Sequence, residues 1–214
     1  MRMYAMFTES HRQMMYKYFL PSLIPNEYLL TLKQSPQKGN GNFGTRGFIA
    51  TVAHTFNILL DAIDENYGSY FVFSDVDVQF FGPTKAILLD AIADCDFAAQ
   101  GDTGQVLCTG FFICRANDTM RQVFIRSIKT LAEHPTQATG DQFALNCHKS
   151  EFKWKILDEQ QFWAMRHKWR GEPLEVPDNI LMHHANWTIG ISNKMEMLRQ
   201  VKLQVESKRS EVGA

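Results

Sequence analysis

The run Tyr70-Phe71-Val72-Phe73-Ser74-Asp75-Val76-Asp77-Val78 decides how this chain is read. Four apolar residues followed by two carboxylates one residue apart read as a strand buried on both faces, with its polar end emerging at a sheet edge. In extended backbone alternate side chains share a face, so Asp75 and Asp77 are expected to point at one spot. Ligands of open parallel sheets sit at the carboxyl ends of the strands. Two carboxylates there repel each other unless a cation or a set of donors lies between them, and hard oxygen ligands suit Mg²⁺ or Mn²⁺. The chain carries its own control. Asp94-Cys95-Asp96 has the same spacing but follows an amphipathic stretch, so it reads as a solvated helix end.

Outward from that strand, short apolar runs alternate with amphipathic ones, which favours an α/β sheet over a bundle or sandwich. Tyr4–Phe7 reads as a first strand, Thr8-Glu9-Ser10 as a capping loop, and His11–Leu20 as a helix stopped by Pro21. Tyr28–Lys33, Phe97–Ala99, Phe111–Cys114 and Trp154–Leu157 read as strands. Helical stretches are Phe48–Ile63, Thr84–Ala93, Met120–Leu131, one opening at Asp141 and a polar one from about Asn193. With no repeat and no linker, the expectation is one α/β domain over residues 1–205 and a mobile tail over 206–214.

Composition narrows the classes of function. The 214 residues carry 22 Lys+Arg against 23 Asp+Glu, a net charge of −1, with 45% hydrophobic and 21% charged residues. That is too apolar for a disordered polyelectrolyte, and it lacks the basic excess that nucleic-acid binding as a main task requires. Cys95, Cys108, Cys114 and Cys147 form no Cys-x-x-Cys, which argues against a zinc knuckle and for reduced core thiols. No apolar run reaches the ~18–20 residues of a membrane span, and the first residues do not form a signal peptide. A cytoplasmic location is the expectation.

Further segments bear on chemistry. In His183-His184-Ala185-Asn186-Trp187, continued to Gly190 and Lys194, an imidazole, a glycine and a compact cation could complete a metal shell and bind a diphosphate. Asp141 and Gln142, after Gly140, read either as helix capping or as a carboxylate and amide facing a sugar. Gly39-Asn40-Gly41-Asn42-Phe43-Gly44 matches a dinucleotide fingerprint, but Ser35–Lys38 separate it from the preceding strand, so it reads as a surface loop. Trp163, Trp169 and Trp187 are either sugar-stacking faces or core.

Taken together, Phe73-Ser74-Asp75-Val76-Asp77, the block Cys108-Thr109-Gly110-Phe111-Phe112-Ile113-Cys114-Arg115, Gly140-Asp141-Gln142, and His184-Ala185-Asn186-Trp187 through Lys194 resemble the nucleotide-diphospho-sugar transferase family of GT-A-fold glycosyltransferases. The resemblance runs from Tyr4 to about Val201. It implies a Rossmann-like GT-A domain whose mostly parallel central sheet is flanked by helices. It implies Thr8 and Ser10 at the nucleotide base, Asp75 on the ribose or the metal, and Asp77 and His184 on the metal, with His183 as the competing imidazole. Gly190 and Lys194 would approach the diphosphate, and Gly110 would join the nucleotide-sugar-binding residues. Asp102, Asp141 and Gln142 would line the donor-sugar and acceptor pocket, with Asp141 or Asp102 as base in an inverting enzyme.

The implied activity is metal-dependent transfer of a sugar from a UDP- or GDP-sugar to a glycan or other hydroxyl acceptor, with Mn²⁺ or Mg²⁺ as cofactor. Two alternatives stand beside it. A nucleotidyltransferase making nucleotide-sugars would usually carry a glycine-rich basic loop where this chain has Thr8-Glu9-Ser10-His11-Arg12. A catalytically inactive GT-A domain that only binds a glycan or a partner would not require the candidate metal and diphosphate residues.

Overall fold

The computed structural model describes residues 1–37, 46–135, 140–164 and 174–212. The expected glycine-rich loop at 39–44 and Trp169 lie outside them. Strand β1 (Arg2–Phe7) leads into a helical run over residues 9–22. That run consists of a 3₁₀ turn (Glu9–His11), α1 (Arg12–Met14), a wide π turn (Met15–Phe19) and α2 (Leu20–Ser22). Pro21 lies inside this last turn instead of stopping the helix before it. After β2 (Leu29–Gln34) come α3 (Arg46–Glu65), β3 (Tyr70–Asp75), β4 (Val78–Phe80), α4 (Lys85–Ala91), β5 (Phe97–Gly101) and β6 (Leu107–Arg115). The chain continues through α5 (Asp118–Glu133), α6 (Asp141–Asn146), β7 (Trp154–Ile156), β8 (Phe162–Ala164), β9 (Met182–His184) and α7 (Ile191–Val212).

Six strands form the central sheet in the order β2-β1-β3-β6-β5-β7. β1 pairs in parallel with both β2 and β3, and β5 with β7, while β6 runs antiparallel to its neighbours β3 and β5. The sheet is therefore mostly parallel, as expected, with one reversed strand. The inner strands β1, β3, β6 and β5 are buried on both faces because alternate residues feed two cores. Met3, Ala5, Val72, Ala98, Phe111 and Ile113 face one core, shared with Phe19, Leu88, Met182 and Val201. Tyr4, Met6, Phe71, Phe73, Phe97 and Phe112 face the other, packed on α3 and α5 through Phe56, Leu59, Ile63 and Phe124. Aromatic packing concentrates at the centre, where the Phe97 and Phe112 rings lie 4.5 Å apart and those of Phe73 and Phe112 5.4 Å apart.

A second sheet, β4-β9-β8, has strands too short to show in a hydropathy pattern. β4 pairs antiparallel to β9, setting Val78 opposite His184 and Gln79 opposite His183. α7 continues to Val212, beyond residue 205, where the sequence reading set the end of the domain. Val205 is buried, Lys208 Nζ donates to the Val176 carbonyl at 2.6 Å, and Arg209 donates to the Phe81 carbonyl at 2.7 Å. Cys95, Cys108 and Cys114 are buried free thiols, whereas Cys147 is exposed and so corrects its assignment to the core. Among the described residues no helix is long and apolar enough to cross a membrane.

Candidate active site

Because β2 and β3 lie on opposite sides of β1, the crossovers diverge at the carboxyl ends of β1 and β3, and a crevice opens there. β6 runs the other way, so its first residues reach the same edge, as does the last part of β5. Thr8 and Ser10 follow β1, Asp75 ends β3, Asp102 follows β5, and Cys108–Gly110 begin β6. All line one cavity of about 720 Å³, together with Asp77, Asp141, Gln142, His184, Trp187, Gly190 and Lys194. Every site residue expected from sequence is thus brought to one place.

At its centre Asp75, Asp77 and His184 each offer a ligand atom, and these atoms lie within 4.8 Å of one another. The two carboxylates converge by a different route from the one expected. β3 ends at Asp75 and the chain turns at Val76–Asp77, so a tight turn, not strand alternation, brings them together. The small sheet delivers the imidazole. Its register sets His184 opposite Val78, the Ala185 amide donates to the Asp77 carbonyl at 2.9 Å, and His184 Nε2 lies 3.3 Å from Asp77 Oδ1. His183 points to the other face, where it is fully buried against Trp163 with ring centroids 5.3 Å apart. Burial pushes its pKa down to about 3. Of the paired histidines, His184 is the one that faces the carboxylates.

Burial and neighbouring charges set the two carboxylates apart. Burial, and then the neighbouring Asp77 and Asp141 charges, raise Asp75 well above the usual carboxylate range. Burial also works against Asp77, but Lys194 and His184 outweigh it and hold Asp77 well below that range. Lys194 Nζ donates directly to Asp77 Oδ2. Burial pulls the lysine down and the Asp77 charge more than compensates, leaving it raised. Gly110 supplies the space. A Cβ there would lie 2.3 Å from His184 Cε1 and 2.9 Å from both His184 Nε2 and Asp75 Oδ2, so only glycine leaves the concavity between the three ligands open. Two carboxylates, an imidazole and an open centre suit a divalent cation of the Mg²⁺ or Mn²⁺ kind.

The remaining pocket residues are tied into networks. Thr8 Oγ1 lies 2.8 Å from His11 Nδ1 and 3.1 Å from Ser10 Oγ, and the Ser10 amide donates to Gln37 Oε1 at 3.0 Å. Asp102 is buried and accepts from Gln142 Nε2 at 2.6 Å and from Trp187 Nε1 at 2.8 Å. Asp141 Oδ1 accepts from the Gln142 amide at 3.0 Å, and burial pushes its pKa up to about 7. Gly190, at φ +90°, precedes α7 and its carbonyl accepts from the Lys194 amide at 3.0 Å. The control pair is inert: Asp94 pairs with Lys155 on the surface, and Asp96 accepts from Asn117 and the Lys153 amide.

Over residues 15–198 the chain matches the family described as nucleotide-diphospho-sugar transferase. It belongs to that family. The transferase has the GT-A fold and is a glycosyltransferase. It superposes on a glycosyltransferase involved in glycosylation of the major capsid of PBCV-1 with a TM-score of 0.66 at 10% identity, covering 93% of this chain and 100% of that one. The galactosyltransferase LgtC, solved with donor and acceptor sugar analogs, gives 0.62 at 8% identity over 97% and 96% of the two chains. The glycosyltransferase GlyE of Streptococcus pneumoniae TIGR4 gives 0.61 at 12% identity over 99% of this chain and 63% of GlyE. At such identities the likeness is one of fold. No curated protein matches the transferase in sequence.

Sequence reading missed two residues that the fold brings to this site. His11 and Gln100 gave no signal, one being a histidine at a helix start and the other an amide inside an apolar strand. Trp187 was read as part of the His183–Lys194 segment and as either a sugar-stacking face or core. Its φ of +58°, rare for a bulky residue, and its hydrogen bond to Asp102 set it apart from Trp163.

Proposed function

We propose that this transferase moves a sugar from a nucleotide-diphosphate sugar, UDP- or GDP-linked, to the hydroxyl of a glycan or other acceptor, with Mn²⁺ or Mg²⁺ held by Asp75, Asp77 and His184. The observation that carries the proposal is the convergence of those three side chains around the space that Gly110 leaves open. When bound there, the cation acts as a Lewis acid on the departing diphosphate.

The protein's own residues supply the rest. Thr8 and Ser10, at the β1 end of the cavity, bind the nucleoside. Lys194 is held on Asp77 and lies one helical turn beyond Gly190, where the amino end of the long helix α7 faces the cavity. A diphosphate at that place gains from the lysine charge and from the helix terminus. Lys194 then moves from Asp77 towards the phosphate oxygens, where negative charge grows as the glycosidic bond breaks. Both Asp102 oxygens are occupied by donors, so Asp102 positions Gln142 and Trp187 along the sugar pocket. Asp141, which lines the cavity and whose pKa burial pushes up to about 7, would take the acceptor proton in an inverting course, whereas the departing phosphate would take it in a retaining one.

The test is a thermal melt of the full chain with UDP or GDP and Mn²⁺, followed by hydrolysis of a panel of nucleotide-sugars. Nucleotide and Mn²⁺ together are expected to raise the melting temperature, and Asp77→Ala to remove most of that gain relative to its own baseline. Unchanged melting with both ligands at millimolar levels, together with no hydrolysis of any donor, would refute the proposal.

A further inference from the structure

Gln100 links the two sheets and touches His184. It is wholly buried and sits at the bulge where the β5–β6 register shifts between Ala99 and Gly101. Bulges re-aim side chains next to active sites. Here the amide crosses from the central sheet to the small one: Nε2 donates to the Phe162 carbonyl of β8 at 3.0 Å, and Oε1 lies 2.8 Å from His184 Nδ1 on β9.

These two contacts dictate where each proton lies. A carbonyl only accepts, so the amide nitrogen must face Phe162 and the amide oxygen must face His184. That oxygen also only accepts, so the proton between them belongs to Nδ1. Cys108 Sγ is 3.8 Å from the same nitrogen, a far weaker contact, and itself accepts from Asn186 Nδ2 at 3.7 Å. With Nδ1 held by the bond to Gln100, Nε2, 3.3 Å from Asp77 Oδ1, is the ring nitrogen turned to where the two carboxylates converge.

We propose that Gln100 is a positioning residue for the metal site, holding His184 through Nδ1–H so that Nε2 is aimed where Asp75 and Asp77 converge. The inference rests on the metal reading above and adds the residue that orients its nitrogen ligand. Outer partners of ligating histidines commonly alter metal affinity by about 10–100-fold.

The test titrates Mn²⁺ alone into the full chain and follows loss of the free-ion electron paramagnetic resonance signal. Wild type is compared with Gln100→Met, Gln100→Glu and His184→Ala. Gln100→Met, close in shape but lacking the acceptor, is expected to weaken binding by roughly 10–100-fold, and His184→Ala by at least as much. Gln100→Glu retains an oxygen towards Nδ1 and is expected to recover most of the loss. Should Gln100→Met fail to fold, ¹⁵N-resolved histidine spectra of the metal-free wild type decide. A proton on Nδ1, whether or not Nε2 carries one too, supports the proposal, and a bare Nδ1 overturns it. Equal Mn²⁺ affinity of wild type and Gln100→Met overturns the role of Gln100 and spares the metal site. Equal weakness of Gln100→Glu and Gln100→Met reduces Gln100 to packing and overturns its acceptor role. Absence of Mn²⁺ binding by wild type overturns both this proposal and the metal reading on which it rests.

Discussion

Gly110 and Asp141 make opposite demands on a single position. At Gly110 the requirement is absence of atoms, because a methyl group would meet the His184 ring and an Asp75 oxygen. Gly110→Ala is expected to displace the imidazole and lower donor turnover by about 100-fold, the usual penalty of a misplacement near 1 Å. Comparing kcat/KM at saturating Mn²⁺ checks this. At Asp141 the requirement is a buried charge, with the folded-state pKa near 7 against about 3.9 in the unfolded chain. The folded protein therefore binds this proton more tightly. Asp141 imposes no penalty below about pH 4, a growing one between pH 4 and 7, and its full penalty above pH 7. Without metal, Asp141→Asn should stabilise the protein by roughly 1–3 kcal/mol at pH 8 and by almost nothing at pH 4, as read by urea unfolding. The same variant should abolish transfer if Asp141 is the base, separating the stability and activity effects of one side chain.

Elements differ in how well they announce themselves. β3 is legible because four apolar residues and an acidic end fit only a doubly buried strand. β4, β8 and β9 are three residues each, too short for any period to emerge, so the small sheet that carries His184 to Asp77 was invisible in sequence. That is why the imidazole was recognised by its motif while its route to the site was not, and why Gln100, which spans the sheets, was missed. The turn at Val76–Asp77 misled in mechanism but not in outcome: the spacing suggested a shared strand face, and a tight turn produced the convergence. The polar composition at the end of α7 reads as solvated, while Val205, Lys208 and Arg209 make contacts with the rest of the fold there. Deleting residues 206–214 is expected to cost about 1–2 kcal/mol, from lost hydrogen bonds and one exposed ion pair. That corresponds to a melting temperature lower by roughly 2–8 °C. An unchanged melting temperature would show that those contacts contribute nothing to stability.

The whole molecule is a sandwich of two aromatic-rich cores with a polar seam at one sheet edge, and the two parts are expected to respond differently to ligands. The cores hold the fold without metal, while the seam carries mutually repelling carboxylates that Lys194 and His184 only partly offset. A nucleotide with Mn²⁺ at about 100 times its dissociation constant should stabilise the chain by about 2.7 kcal/mol, and chelation should return it to the ligand-free value without unfolding it. Loss of the fold on chelation alone would mean that metal is structural and that the seam has been misread. The most direct measurement is crystallographic: crystals soaked with Mn²⁺ and a nucleoside diphosphate, with anomalous difference density recorded at the manganese edge. A single peak bonded to Asp75 or Asp77 oxygen and His184 Nε2, and in contact with the diphosphate, is the result predicted here. A peak elsewhere, or a diphosphate bound with no metal beside those side chains, would contradict the account.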